Sequence, residues 1–544
     1  MILTNLGKLG HNAPAWAIVP LLLFLWLGGL LVQSYRSRRR RLPLPPGPPR
    51  LPIIGNLHQA PQVYPWRVYQ EWTRQYGPVF SLQYGMNTVI MLGTYRAAHE
   101  LLNKRSHIYS SRPRAVMGGE CLSRGLRTLL MPYGQQWRNH QRLQASYLNV
   151  RVSQSYRGVQ DLESKQLLYE FLSPGVDFVD RYHRYSSSVI FALAYGRRLP
   201  DGDEPEIQAI DEVMKNFLYA ARVGTWLVDA VPLLNYLPKF LAPWRRLGDR
   251  LHKLESTLCI DNMTKGLDSA SWNWSKHVSG MKEGRDMSTK ELAYDVGIIY
   301  EAGSDTTSMA LEIFTLAMLV YPDVMKKAQA EIDAHVGGGD DRLPGFEDKD
   351  SLPYMDAMIK EVLRWRPVSA GGIPHAVIQD DEYLGYRIPA GATVIGNHWS
   401  IHLDEDVYRD PHAFNPDRWI EDPALPLAPF GFGRRVCTGQ HLARNSLFIN
   451  MVRILWAFDV VHAHESVPEI DPHTGRTVLV RRRCEVDPLA FTQGLNSKPL
   501  PFRAEFKVRS PERARIVRDQ WDKAEKRLDV LLERIRADVS GSGK

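Results

Sequence analysis

Residues 429–439 read PFGFGRRVCTG and hold a single cysteine, Cys437, among three glycines and two arginines. A cysteine so placed is a packed small hydrophobe, half of a disulfide, or a metal ligand. The other three, Cys121, Cys259 and Cys484, lie far from it in the chain and no CxxC spacing occurs. Neither a disulfide framework nor a zinc knuckle is therefore signalled, and a reducing compartment fits best.

Working outward, QHLARNSLFINMVRILWAF (440–458) follows the cysteine as a helix-compatible run. Upstream, YMDAMIKEVLRWRP (354–367) carries an inward stripe of Met355, Met358, Ile359, Val362 and Leu363 and ends at Pro367. Glu361 and Arg364 sit three apart on its flank. Further upstream, MSTKELAYDVGIIYEAGSDTTSMALEIFTLAMLVYP (287–322) is the clearest helix, with Ser288 and Glu291 at capping-box spacing and Pro322 as a stop or break. It would run roughly 50 Å, enough to traverse a domain. Early β-like runs, PVFSLQYGMNTVIMLG (78–93), place a tight turn between two apolar strands. The expectation is a mainly α body with small β-sheets.

The chain of 544 residues is 44% hydrophobic and 24% charged, with a net charge of +8, an ordinary globular composition. Five of its arginines fall between Arg36 and Arg41, and no concentrated basic face with stacking aromatics argues for nucleic acid. Before them, HNAPAWAIVPLLLFLWLGGLLVQSY (11–35) carries no Asp, Glu, Lys or Arg and is long enough to cross a bilayer. The arginine run lacks a small-residue cleavage site, which favours an uncleaved anchor over a signal peptide, and its charge holds the C-terminal side in the cytosol. LPLPPGPPRLPIIGN (42–56) then reads as a stiff, extended hinge. Four parts result: an anchor (1–35), a basic and proline-rich hinge (36–56), a catalytic body (57–508) and a C-terminal amphipathic helical extension (509–544). In that extension Ser510 and Pro511 open a helix, and Val517, Trp521, Ala524, Leu528, Leu531 and Ile535 form a heptad-like seam expected to dock on the body.

For Cys437, thiolate is a soft donor, and an arginine-bearing, glycine-turned loop favours it. A lone cysteine suits haem iron better than zinc, which takes several protein ligands. Phe430, Gly433, Arg435, Cys437 and Gly439 match the Phe-x-x-Gly-x-Arg-x-Cys-x-Gly signature, and here the chain resembles the cytochrome P450 family. KEVLR fits that family's Glu-x-x-Arg as Glu361 and Arg364, and FNPDRW supplies Arg418 as a third member of a structural ion-pair cluster. AGSDTTS resembles its oxygen-activation segment. The similarity runs from the proline hinge to about Val508 and is greatest to microsomal, filamentous-fungal enzymes of secondary metabolism.

The resemblance implies that Cys437 ligates a haem iron, that Phe430, Gly433, Arg435 and Gly439 surround the haem, and that Ala302 and Gly303 leave room for dioxygen. Asp305 and Thr306 are then the proton-delivering catalytic pair. Trp137 and Arg138 of WRNHQR fit the family's propionate-binding segment, but Gln141 stands where a second arginine is frequent. A haem propionate would then rely on Trp137 and Arg435, with His140, Arg142 or His375 as further candidates. Thr438 replaces a frequent proline. Substrate contacts are expected around Pro113 to Arg127, at Ile298, Ile299, Val368 and Ile373, and near Phe491, for a hydrophobic small molecule. No G-x-G-x-x-G opens a helix after a strand, so electrons would come from NADPH through an NADPH-cytochrome P450 reductase, with cytochrome b5 as an optional second donor. The location implied is the endoplasmic reticulum membrane, single-pass among membrane lipid. Two other classes stand beside a monooxygenase that inserts one oxygen atom into, oxidatively desaturates or couples its substrate: a haem-thiolate isomerase or dehydratase without a reductase, and a non-catalytic haem protein.

Overall fold

The computed structural model describes residues 42–222, 224–337, 342–470 and 476–541. The expected anchor and its arginines lie outside the described residues. Eleven helices carry the argument: α1 (Gln135–Leu148), α2 (Arg157–Phe171), α3 (Phe178–Tyr195), α4 (Pro205–Ala220), α5 (Pro243–Asp268), α6 (Thr289–Val320), α7 (Pro322–Val336), α8 (Pro353–Trp365), α9 (Gln440–Ala457), α10 (Pro511–Asp522) and α11 (Leu528–Gly541).

Helix α6 is the axis. Ser288 caps it by accepting the Glu291 N–H at 3.2 Å; the Glu291 carboxylate turns instead to His140, so half of the capping box forms. Its 32 residues pack against α3, α5 and α9 and are buried over most of their length. Pro322 starts α7 in the first turn, where a missing N–H costs nothing, and the chain bends there by 106°. Among the described residues no single helix is long and apolar enough to cross a membrane; α6 and α7 pass that test only together.

Strands β1 (Val79–Tyr84), β2 (Asn87–Leu92), β3 (His375–Ala376) and β4 (Thr393–Gly396) form the main sheet, in the order β1-β2-β4-β3. The β1–β2 hairpin pairs Tyr84 with Asn87 across a two-residue turn, and Gly85 takes φ +60° there. Strand β4 runs parallel to β2 and antiparallel to β3, which brings His375 opposite Val394.

The proline stretch is not a free hinge over residues 42–56. It lies along β1: Pro46 O accepts the Ser81 N–H at 2.8 Å, and a Cβ on Gly47 would stand 2.1 Å from Ser81 O. Prolines lack donors but keep their carbonyls, so such a segment can cover a strand edge that would otherwise be open. The C-terminal seam is broken as well. Helices α10 and α11 are separated at 523–527, and both pack on α2, with Val517, Leu531, Leu532 and Ile535 buried in the main core.

Candidate active site

The cysteine loop is fixed at both ends before α9 begins. Ala428 N–H donates to His402 Nε2 at 3.2 Å, and Cys437 N–H donates to Phe430 O at 2.9 Å. At Gly433 the backbone has φ +58° and a Cβ would meet Leu102 O at 2.1 Å, so this glycine permits close approach to another chain segment. The Cys437 side chain is exposed, and what it opens onto is an interior cavity of about 360 Å³. Enclosure by protein raises the thiol pKa, opposed by a hydrogen bond from the Gly439 N–H. The two arginines of the loop are engaged elsewhere. Arg435 donates to Ser110 O, Thr128 O and Met131 O, and Arg434 to the Tyr133 hydroxyl.

The same cavity is lined by Phe430, Arg435 and Gly439 of the loop, by Trp137 of α1, and by His375 of β3. Helix α6 contributes Ile298, Ile299, Ala302, Gly303 and Thr306, and the segment after α8 contributes Val368 and Ile373. Ile298, Ala302, Thr306 and Ala310 are spaced by four and form one lining stripe along the helix. Thr306 Oγ1 donates to Ala302 O at 2.8 Å. Trp137 stacks under Arg435, whose guanidinium carbon is 4.2 Å from the ring centroid. His375 Nδ1 bonds to Tyr109 O at 2.9 Å; burial and then Arg112 push its pKa well down, leaving a neutral ring.

Several expected site residues lie elsewhere. Arg138 is exposed and donates to Gln135 Oε1 at 2.7 Å, because one residue of helix rotates it by about 100° from Trp137. Arg142, also exposed, bonds to Asn139 Oδ1. His140 is buried between Asp295 (2.9 Å) and Glu291 (3.2 Å), away from the cavity. Asp305 is likewise absent from the cavity wall. Burial raises its carboxyl pKa, countered by His183 and Lys498 and reinforced by Asp211. Gly433 does not line the cavity. Gly303 does, but a Cβ there would stand 2.7 Å from Ile190 Cγ1, so its smallness serves the contact between α6 and α3.

Reading the sequence missed Arg112. It is buried, lines the cavity and donates to Leu129 O at 2.9 Å and Pro374 O at 2.5 Å. Burial, then the neighbouring Arg435, push its pKa down to about 9, and burial lowers Arg435 to about 10. Among the described residues the side-chain bonds of both guanidiniums go to main-chain carbonyls, with no carboxylate. Arg112, buried, and Arg435, half-buried, thus face the cavity with no carboxylate bonded to either, an arrangement suited to a ligand that brings its own anionic groups. In sequence Arg112 stands one position before the stretch from Pro113 to Arg127 expected to meet substrate, and no motif marked it. Also unforeseen was a buried cluster of Arg127, Glu255 and Glu301, of which Arg127 and Glu301 line the cavity.

Glu361, Arg364 and Arg418 meet as expected. Arg364 is bidentate on Glu361 at 2.8 and 2.7 Å, and Arg418 Nε reaches the same carboxylate at 3.1 Å. Trp419 Nε1 and Asn415 N–H complete its partners, each at 2.9 Å. Arg364 also donates to His402 O at 2.8 Å. The His402 ring in turn holds Ala428, so the cluster reaches the start of the cysteine loop through one residue.

This residue set fits a haem: a thiol aimed into the cavity, a helix stripe of small and hydroxyl side chains, and two anion-seeking arginines. Among the described residues no group of three or more His, Cys, Asp and Glu side chains is placed to hold a metal ion; a single thiolate suffices for a haem, whose porphyrin brings four nitrogen ligands of its own.

Comparison with known proteins agrees. The cytochrome P450 family model matches residues 45–486. Cytochrome P450 monooxygenase aneD of Aspergillus aculeatus is 45% identical over 92% of this chain and 95% of its own. Cytochrome P450 monooxygenase FrzL of a Cladobotryum species is 42% identical over 96% and 98%. A zebra fish cytochrome P450 solved with progesterone superposes with a TM-score of 0.67 at 25% identity, over 82% of this chain and all of that one. With the cysteine loop, the lining helix and the ion-pair cluster assembled on this mainly helical fold, the chain belongs to the cytochrome P450 family, a haem-thiolate oxidoreductase of the monooxygenase kind.

Proposed function

We propose that the protein is a membrane-anchored monooxygenase that inserts one atom of dioxygen into a hydrophobic small molecule, within a fungal secondary-metabolite pathway. Electrons come from NADPH through a partner reductase, and residues 11–35 hold the body on the cytosolic face of the endoplasmic reticulum. The observation that carries this reading is the Cys437 thiol opening into a cavity that Thr306 also lines. The fungal relatives support the pathway assignment.

Held by the Cys437 thiolate, haem supplies an electron-rich iron at which dioxygen is reduced. The chain's own residues set the conditions. The Gly439 N–H bonds to the sulfur and moderates its charge. Arg112 and Arg435, which line the cavity with neutral His375, would hold the haem carboxylates. Thr306 keeps its hydroxyl hydrogen on Ala302 O while its oxygen lone pairs stay free to accept a hydrogen bond, which orients a proton donor in the cavity. Asp305 lies about 100° around α6 from Thr306; the nearby charge of His183 favours its carboxylate, and His183 bonds at 3.2 Å to Asp211, whose side chain is 54% exposed, so this side of the helix is where solvent protons reach Asp305. Ile298, Ile299, Val368 and Ile373 exclude water from the reacting carbon.

The test is the carbon monoxide spectrum of the reduced, haem-loaded protein. Wild type should give the long-wavelength band of thiolate ligation, and Cys437→Ala should lose it. The same band in the variant would remove Cys437 from the iron.

A further inference from the structure

The charged side chains that line the cavity are Arg112, Arg435, Arg127 and Glu301. The first two are assigned to the haem carboxylates. The others form one buried cluster, each side chain 3% exposed. Arg127 donates from Nη1 to Glu301 Oε1 at 3.0 Å and from Nη2 to Oε2 at 2.8 Å, and Nη2 also bonds to Glu255. Tyr294 OH donates to the other Glu255 oxygen at 3.3 Å.

One guanidinium thus faces two carboxylates. A strap tying the loop at residue 127 to α5 and α6 would need only one of them; the second carboxylate has no cation of its own, and burial, opposed by Arg127, raises the Glu301 pKa until a further cation arrives to favour its charged form. A further cation nearby, Lys290, bonds to His252 Nε2 at 2.7 Å and is partly solvated. Arg127 offers a ligand little. The Phe217 ring lies 3.6 Å from its guanidinium carbon, and its Nε is fully buried without a partner. Glu301 is the one carboxylate on the cavity wall among the described residues, one position before Ala302 on the lining helix. The same cavity wall carries the apolar Met214, Leu218, Ile298, Ile299 and Leu495.

We propose that Glu301, oriented by Arg127, is a specificity-determining residue that pairs with a positively charged nitrogen, so that the substrate is a hydrophobic amine. This rests on the monooxygenase reading of the cavity. A cation leaving water for an apolar cavity incurs a large desolvation cost unless an anion receives it. Glu301 supplies that anion without a rearrangement, because Arg127 already fixes both of its oxygens.

The experiment titrates haem-loaded, full-length protein with benzyltrimethylammonium and with its uncharged carbon isostere, neopentylbenzene. Binding is read from the change in the haem spectrum as bound water is displaced; the quaternary nitrogen has no lone pair and cannot ligate iron. Glu301→Gln should weaken the cation at least about tenfold and the isostere less than about twofold. A loss of purely structural support would weaken both alike, and that result overturns the proposal, as does a wild type that binds only the isostere. Should Glu301→Gln fail to fold, the triple variant R127Q/E255Q/E301Q removes all three charges of the cluster and is held to the same ratio. Absence of the thiolate carbon monoxide band in wild type would mark the failure of the monooxygenase reading instead.

Discussion

A helical threonine ordinarily bonds back to the preceding turn, and Thr306 does so, yet it also faces the space beside Cys437. The two roles are compatible, because the back-bond occupies the hydrogen and leaves the oxygen free to accept. Thr306→Ala should therefore keep the fold and the thiolate band while product formed per NADPH falls on the order of a hundredfold, with hydrogen peroxide rising in its place. Thr306→Ser should keep most of the coupling. Full coupling in the alanine variant, measured as product against NADPH consumed, would remove Thr306 from proton delivery. At this scale the sequence was legible wherever a motif fixed the spacing: Cys437, Thr306, Glu361 and Arg364 all stand where the pattern put them. It misled where neighbours in sequence diverge on a helix. Trp137 and Arg138, like Thr306 and Asp305, are adjacent in the chain but about 100° apart around the axis, so one of each pair lines the cavity and the other does not. Arg112 was invisible because its place is set by β3, which comes more than 250 residues later and whose approach brings Pro374 O within 2.5 Å.

For an element, the informative case is the crossing of α6 over α3. Gly303 was expected to make room for dioxygen, but the atoms nearest a Cβ there are Ile190 Cγ1 at 2.7 Å and Cδ1 at 2.9 Å. A methyl group would force apart two helices packed along their lengths, and overpacking of this sort costs about 1–3 kcal/mol. Gly303→Ala should accordingly lower the denaturation midpoint. Ile190→Ala in the same chain should recover part of the loss, so that the double variant is less destabilised than the sum of the singles. A Gly303→Ala protein as stable as wild type but inactive would return the glycine to the oxygen side. The helix itself was readable from Ser288 to Pro322, since cap, apolar run and proline are local features. Its crossing partner was not, because the sequence carries no mark of which side of a small residue another helix will occupy.

Across the whole molecule, α9 is a strut with different work at its two ends. Cys437 stands just before its first turn. About 27 Å away by helical rise, Arg513 of α10 donates to Trp456 O at 2.6 Å and to Asp333 at 2.9 Å, and Arg509 pairs with Asp333 at 2.6 Å. The heptad spacing of the extension suggested one unbroken helix. Burial rather than helical continuity keeps that spacing, since Ala524 and Leu528 still pack on the core where the chain turns between α10 and α11. Val517, Leu531, Leu532 and Ile535 are buried there, each contributing on the order of 1.5–3 kcal/mol of transfer free energy. Removing residues 509–544 would expose α2 and the far end of α9 but leave the cysteine loop, the 361–418 cluster and the lining stripe of α6 untouched. The shortened chain should therefore melt at a lower temperature, with the carbon monoxide band retained in proportion to folded protein. Loss of that band from protein still folded at low temperature would show instead that α9 transmits the state of its far end to the sulfur.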